Sequence, residues 1–403
     1  MKQGGIWALM ALALLLGVLA AKDGGAADWS VVPSVGFRAE FNSNLNYSFQ
    51  NKISDFLFTL TPNADFNYAT EILQLQGHVG WTGLVYAKSG SADHIDQNYF
   101  INGKYAVAPR LNLNMNAGFI VDSSLHQELI TSGFIMSRTP RQSYLLGPGF
   151  TYALTERLSA TAGYQFNPVH YQDPNFQNYT NQQVNFAFNY LLKNEKTTLS
   201  LILSGQETTY TNNDLNRILG TYLGVSHKFS DVWFINFQGG ANYSFVDFTT
   251  QVQSSAQSPF FVLVQQPRLT QTSLSPYFSI SATRRWTKAS FTANYIRNQS
   301  ASGAGSINNT DGLNLALSYI FTERLTGTMV GSYNRGEAIS QRNSFNSSTY
   351  QVGPQLSYQV TEKLSFSIGY NFSQLQNSPP VQTASNHQTW LMFTYSYPIH
   401  YQK

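Results

Sequence analysis

The sequence predicts an all-β fold, a closed antiparallel transmembrane β-barrel of about 18 strands (16–20), with short periplasmic turns and long extracellular loops. Three observations carry this. The first is a pattern best seen in residues 111–122, where Leu111, Leu113, Met115, Ala117, Phe119 and Val121 alternate with Asn112, Asn114, Asn116, Gly118, Ile120 and Asp122. Side chains alternate across a strand, so this stretch has one apolar and one amide-rich face. The pattern recurs along the chain at roughly the 9–11 residues a tilted membrane strand needs. The second is composition. Charged residues make up 11% and aromatics 14% of the chain, against roughly 25% charge in soluble domains. Hydrophobic content of 42% is too low for a bundle of membrane helices, and after the leader no apolar run approaches the roughly 20 residues a spanning helix needs. The third is that short and long connections alternate along the chain, as they do in outer-membrane barrels.

Residues 1–27 read as a signal peptide: Lys2 gives a positive start, residues 6–21 an apolar core, and Gly25-Ala26-Ala27 a small-residue cleavage site. Residues 28–403 then form a single barrel domain. The net charge of +3 points to neither nucleic acid nor a strongly acidic partner. With no cysteine there is no disulfide, thiolate metal site or haem attachment point, and no cofactor is expected.

The first strand is expected at 31–41. There Val31, Val35, Phe37, Ala39 and Phe41 share one face, and Arg38 and Glu40 share the other as a neutralising pair in the lumen wall. Strands follow near 56–68, 73–81, 97–107, 111–122, 144–152, 158–166, 184–192, 197–206, 217–229, 232–245, 274–283, 289–295, 313–321, 325–334, 350–360, 364–372 and 390–397. Short turns fall at 69–71, 108–110, 153–157, 193–196, 230–231, 284–288, 322–324 and 361–363. Longer outer loops are expected at 42–54, 123–143, 167–182, 247–271, 298–311, 335–348 and 373–388. An even strand number returns both ends to the periplasm.

Three turns are near copies. Tyr152-Ala153-Leu154-Thr155-Glu156-Arg157-Leu158-Ser159 is repeated around Thr322 and around Thr361. The Tyr suits the membrane interface and the charged pair a water-exposed turn. Pro62, Pro148, Pro276 and Pro354 recur in descending strands. Proline has no N–H to give a ladder, so a bulge or locally open pairing is expected at each.

Pro33-Ser34-Val35-Gly36-Phe37-Arg38-Ala39-Glu40-Phe41-Asn42-Ser43-Asn44, with Ser54-Asp55-Phe56-Leu57-Phe58-Thr59-Leu60-Thr61-Pro62, resembles the opening of the beta-barrel porin 2 family. The resemblance implies a Gram-negative outer-membrane protein associated with exopolysaccharide or capsule systems, and carries no catalytic residues. The chain departs from the usual outer-membrane pattern by ending Tyr401-Gln402-Lys403 rather than on an aromatic residue.

About 18 strands enclose more space than side chains fill, which leaves an aqueous channel. The expected constriction is the loop at 123–143, which carries Leu125, Leu129, Ile130, Phe134, Ile135 and Met136 as wall anchors and Glu128, Arg138 and Arg141 as opposed charges. The leading function is a porin-like channel for polar solutes or polysaccharide-associated export. A scaffold barrel sheathing an electron-transfer or secretion complex is the alternative. An enzyme is the least supported reading, because only His94 with Asp93 and Asp96, and His126 with Glu128, bring His and acid together. Phe100 is a candidate sugar-contacting ring in the lumen. Expected partners are outer-membrane lipid and the barrel-assembly machinery.

Overall fold

The computed structural model describes residues 27–123, 138–249, 268–301, 307–338, 346–378 and 380–402. The expected signal peptide lies outside these residues, apart from Ala27. The strands are β1 Asp28–Asn42, β2 Asp55–Ala69, β3 Leu73–Tyr86, β4 His94–Ala108, β5 Leu111–Ser123, β6 Pro140–Ala153, β7 Leu158–Tyr171, β8 Tyr179–Leu191 and β9 Thr197–Tyr210. They continue as β10 Leu215–Ser230, β11 Trp233–Thr249, β12 Arg268–Arg285, β13 Ala289–Ala301, β14 Ile307–Ile320 and β15 Leu325–Ala338. The last are β16 Asn346–Gln359, β17 Leu364–Ser378, β18 Gln382–Ser396 and β19 Ile399–Gln402.

Each strand pairs antiparallel with its sequence neighbours, and β1 closes the ring by pairing with β2 on one edge and with β18 and β19 on the other. β18 and β19 are one stave, interrupted at Tyr397 and Pro398, so the wall has eighteen staves. Closure pairs the staves all round the ring, the outer part of β12 beyond Phe278 excepted, and such pairing is the condition for backbone polar groups to survive in hydrocarbon.

Cross-strand partners share a face, so the register extends the alternation around the ring. Leu199, Leu201 and Leu203 face outward and are 41%, 39% and 41% exposed, values incompatible with a water-soluble core. Rings stack across staves near the outer end of this face: Trp81 lies 5.7 Å from Tyr99, Tyr99 6.0 Å from Phe119, and Phe119 4.8 Å from Tyr144. Near the periplasmic turns Phe229 stacks on Trp233 at 4.5 Å, and Lys363 sits 4.0 Å over Tyr397. Two aromatic belts bracketing an apolar band mark the two membrane interfaces. The chain is an integral outer-membrane β-barrel.

The repeated turn has a specific cause. Thr155 Oγ1 accepts the N–H groups of Arg157 and Leu158, and Thr322 Oγ1 those of Arg324 and Leu325. Thr361 Oγ1 does the same for Lys363 and Leu364. The hydroxyl, rather than the charged pair, holds the reversal.

The prolines open the ladder without shifting it. Pro62, Pro148 and Pro354 pair on one side with Val35, Met115 and Met329. On the other side the β2–β3, β6–β7 and β16–β17 registers skip them and resume in step. At Pro276 the ladder does not resume: β12 meets β13 only from Phe278 to Arg285, and above that level Gln299 Nε2 bridges to Ser275 Oγ at 2.9 Å.

Strands run further outward than the apolar alternation. β17 and β18 pair up to Asn377 with Gln382, so most of the loop expected at 373–388 is strand. β15 and β16 likewise pair up to Glu337 with Asn346, inside the loop expected at 335–348. Beyond the hydrocarbon a ladder needs no apolar face, so the hydrophobic pattern ends before the hydrogen bonding does.

Candidate functional site

Most of the inner-face charges lie on β1–β6, those of β1 beside Trp390 and Met392 of β18. Arg38 and Glu40 point inward from β1, beside Thr59 and Leu57 of β2 and Met392 and Trp390 of β18. The two form an ion pair, and the Arg38 guanidinium lies 4.5 Å over the Trp390 ring. Glu40 is 5% exposed, and Arg38 is its charged partner there. Next along the wall, Tyr86 at the end of β3 faces inward and receives a hydrogen bond from Arg138 Nη1 at 2.5 Å. His94 stacks 6.4 Å from Tyr86, its Nδ1 2.7 Å from Ala92 O and its Nε2 3.3 Å from Asp96. Deeper in the lumen His78 pairs with Asp65 at 2.7 Å and stacks on Phe100 at 5.3 Å.

Of the residues expected in a constriction at 123–143, Glu128 lies outside the described residues. Arg138 is placed against β3 and the first outer connection, donating also to Leu45 O at 3.1 Å. Arg141 belongs to the wall rather than to a loop. It is in β6, opposite Asp122 of β5, and holds that carboxylate with two bonds, Nε at 2.9 Å and Nη2 at 2.8 Å. The expected loop therefore begins and ends inside strands, because the polar pair Asp122 and Arg141 continues the β5–β6 ladder on its inner face.

An inward element that sequence reasoning missed is the connection at 43–54. Tyr47 packs on Leu375 and Ala384, inner-face residues of β17 and β18, and its hydroxyl lies 2.8 Å from Ser373 Oγ. Leu45 packs on Leu57 and Tyr86, inner-face residues of β2 and β3. Between these contacts Asn44, fully buried, organises the turn. Its N–H donates to Asn42 and Asn386, its Nδ2 to the carbonyls of Ser48 and Ser385, and its Oδ1 accepts from Ser48 N–H. The signal for this lay in Leu45 and Tyr47, two apolar side chains within an otherwise polar stretch.

Asp55 receives the backbone N–H groups of Lys88 and Ser89 and so fixes the β3–β4 connection. Asp93 accepts Tyr86 N–H at 2.8 Å and has the same kind of role. His94 is held by its Nδ1 contact to the Ala92 carbonyl and lies 3.3 Å from Asp96; His126 lies outside the described residues. Among the described residues no group of three or more His, Cys, Asp or Glu side chains could hold a metal ion.

Residues 264–386 match the family model described as "Putative MetA-pathway of phenol degradation", a minority of the chain and a different family from the one its opening resembles. No curated protein matches. Among solved structures, Pseudomonas aeruginosa OccK2 (OpdF) in complex with glucuronate is 11% identical, with 94% of this chain and 100% of that one covered, at a TM-score of 0.47. Pseudomonas aeruginosa OpdK with vanillate is 12% identical over 93% and 100% of the two chains at 0.45, and Acinetobacter baumannii OccAB3 11% over 93% and 99% at 0.43. The architectural assignment rests on the chain's own pairing: an eighteen-stave ring with a lipid-facing band is an outer-membrane β-barrel.

Proposed function

We propose that this chain is a porin-like channel passing polar solutes across the outer membrane. The observation that carries the reading is the chemistry of the closed wall. Its inner parity holds amides and hydroxyls, and the buried inner charges on β1–β6 are paired side by side, as Arg38–Glu40 and Arg141–Asp122 are, while Lys104 is exposed. A ring of about 16–18 strands leaves an aqueous path. A hydrated wall with self-compensated charges offers a neutral solute many weak contacts and no deep trap, which is what conduction requires. Association with polysaccharide export has support only from the opening motif, and Phe100 and Trp390 are among the inner-face rings a sugar would meet.

Single-channel recording of the purified protein in planar bilayers tests this. Stepwise openings are expected, with permeability to an uncharged sugar as the first organic probe. Folded protein that inserts and stays silent would overturn the channel reading and favour a scaffold.

A further inference from the structure

The periplasmic turns are not alike in charge. The three copied ones each set an acid beside a cation, as Glu156–Arg157, Glu323–Arg324 and Glu362–Lys363. The β12–β13 turn instead reads Arg284-Arg285-Trp286-Thr287-Lys288, three cations with no acid. Main-chain bonds set it beside two further turns: Arg285 N–H donates to Val232 O at 2.8 Å, and Lys228 N–H to Lys196 O at 2.8 Å. Residues 193–196, 228–231 and 284–288 together hold six cations and two carboxylates, an excess greater than the net +3 of the whole chain. Lys228, Arg284, Arg285 and Lys288 are all exposed. None of the four has an ion-pair partner among the described residues.

Arg284 has the most specific setting of these. It stands on the lipid-facing parity of β12, in register with Trp233 of β11 and Phe291 of β13. Its guanidinium lies 5.7 Å from the centre of the Trp233 ring and 4.9 Å from that of Trp286. Rings that take the face of the cation hold its position and leave its N–H edge free for an oxyanion. One row further into the membrane, Ala282 stands opposite Ala293, flanked by Ile235 and Leu315. The two alanines form a shallow apolar track beside the guanidinium. A fixed cation in the aromatic belt with an apolar track at its foot is reached from the bilayer, and its complement is a phosphate joined to an acyl chain. Lys228 and Arg285, on the lumen-facing parity of the same rim, add positive potential from behind.

We propose that the β12–β13 rim is a binding site for an anionic phospholipid of the inner leaflet, with Arg284 and Lys288 on the phosphate and an acyl chain along Ala282 and Ala293. A zwitterionic lipid brings an ammonium group with its phosphate, and the surplus of positive charge here disfavours it. A lipid of net negative charge, such as phosphatidylglycerol, gains from the same surplus. The site does not depend on the channel reading, since a barrel that passes no solute would still hold it.

Native mass spectrometry of the full barrel, released from micelles with equal mole fractions of phosphatidylglycerol and phosphatidylcholine, counts the lipids each protein retains. The parent protein is expected to retain phosphatidylglycerol in preference. Arg284→Gln and Lys288→Gln should each lower that preference by about fivefold. Arg324→Gln, in a turn with its own acid, should leave it unchanged. Each variant is first checked for the heat-sensitive gel mobility of a folded barrel, and Lys288→Gln, in an exposed turn, keeps the test available if Arg284→Gln folds poorly. Equal retention of the two lipids by the parent would overturn the site. So would an unchanged preference in both rim variants, or an equal loss in Arg324→Gln. Displacement of the lipid by inorganic phosphate would assign the cations to a free anion and overturn the lipid reading.

Discussion

Between β1 and β6 the inner wall holds two ion pairs, Arg38–Glu40 and Arg141–Asp122, and two His–carboxylate contacts, Asp65–His78 and His94–Asp96, with Lys104 exposed toward the periplasmic side. From β7 to β17 the inner-parity positions of the described residues are amides, hydroxyls, glycines and a few apolar side chains, with Lys228 and Arg285 beside the periplasmic turns. That second arc is held by neutral networks. Tyr222 donates to Asn242 Oδ1 at 2.6 Å and lies 2.9 Å from Ser204 Oγ, and Ser357 meets Ser367 at 2.9 Å. The difference teaches how one wall can stay wet in two ways. Where charge is buried in the wall it is paired with a neighbour, because a half-buried isolated ion costs several kcal/mol. Where no partner stands opposite, neutral groups give the same hydration without that penalty.

Four predictions break or sharpen this contrast. Arg141→Ala leaves Asp122 facing the wall without its two-bond partner and is expected to cost about 3 kcal/mol, read as a lower urea midpoint in lipid vesicles; adding Asp122→Ala should restore much of it. Glu40→Gln frees the Arg38 charge over Trp390. The reversal potential in a salt gradient should move toward anion preference, whereas Ser204→Ala on the neutral arc should leave it unchanged. Tyr222→Phe removes a neutral bond pair and is expected to cost about 1 kcal/mol by the same titration, well short of the Arg141 effect. Thr322→Ala removes one turn hydroxyl and should cost about 0.5–1 kcal/mol. Thr155→Ala and Thr361→Ala should match it, since the three turns bond alike.

All eighteen staves were legible in the sequence, because each presents an apolar parity to lipid whatever its neighbours. Their outer ends were not. The last residues of β9, Glu207-Thr208-Thr209-Tyr210, carry no apolar alternation, yet they pair with β8 and β10. Among the site residues, Arg38 and Glu40 were readable as a pair because they sit two positions apart on one strand. The inward course of residues 43–54 was not readable. It depends on Ser373, 326 positions away from Tyr47, and local pattern carries no information about such a partner. The fourfold proline pattern was legible, and its outcome is local opening of the ladder rather than a bulge.

The central claim is that one parity of this wall touches hydrocarbon and the other touches water. A cysteine scan of Leu111 through Asp122, one thiol at a time in the cysteine-free chain reconstituted in lipid vesicles, tests it directly. Asn112, Asn114 and Asn116 positions should react with a membrane-impermeant maleimide, and Leu113, Met115 and Ala117 positions should not. Equal reactivity at both sets, or none at either, would contradict the account.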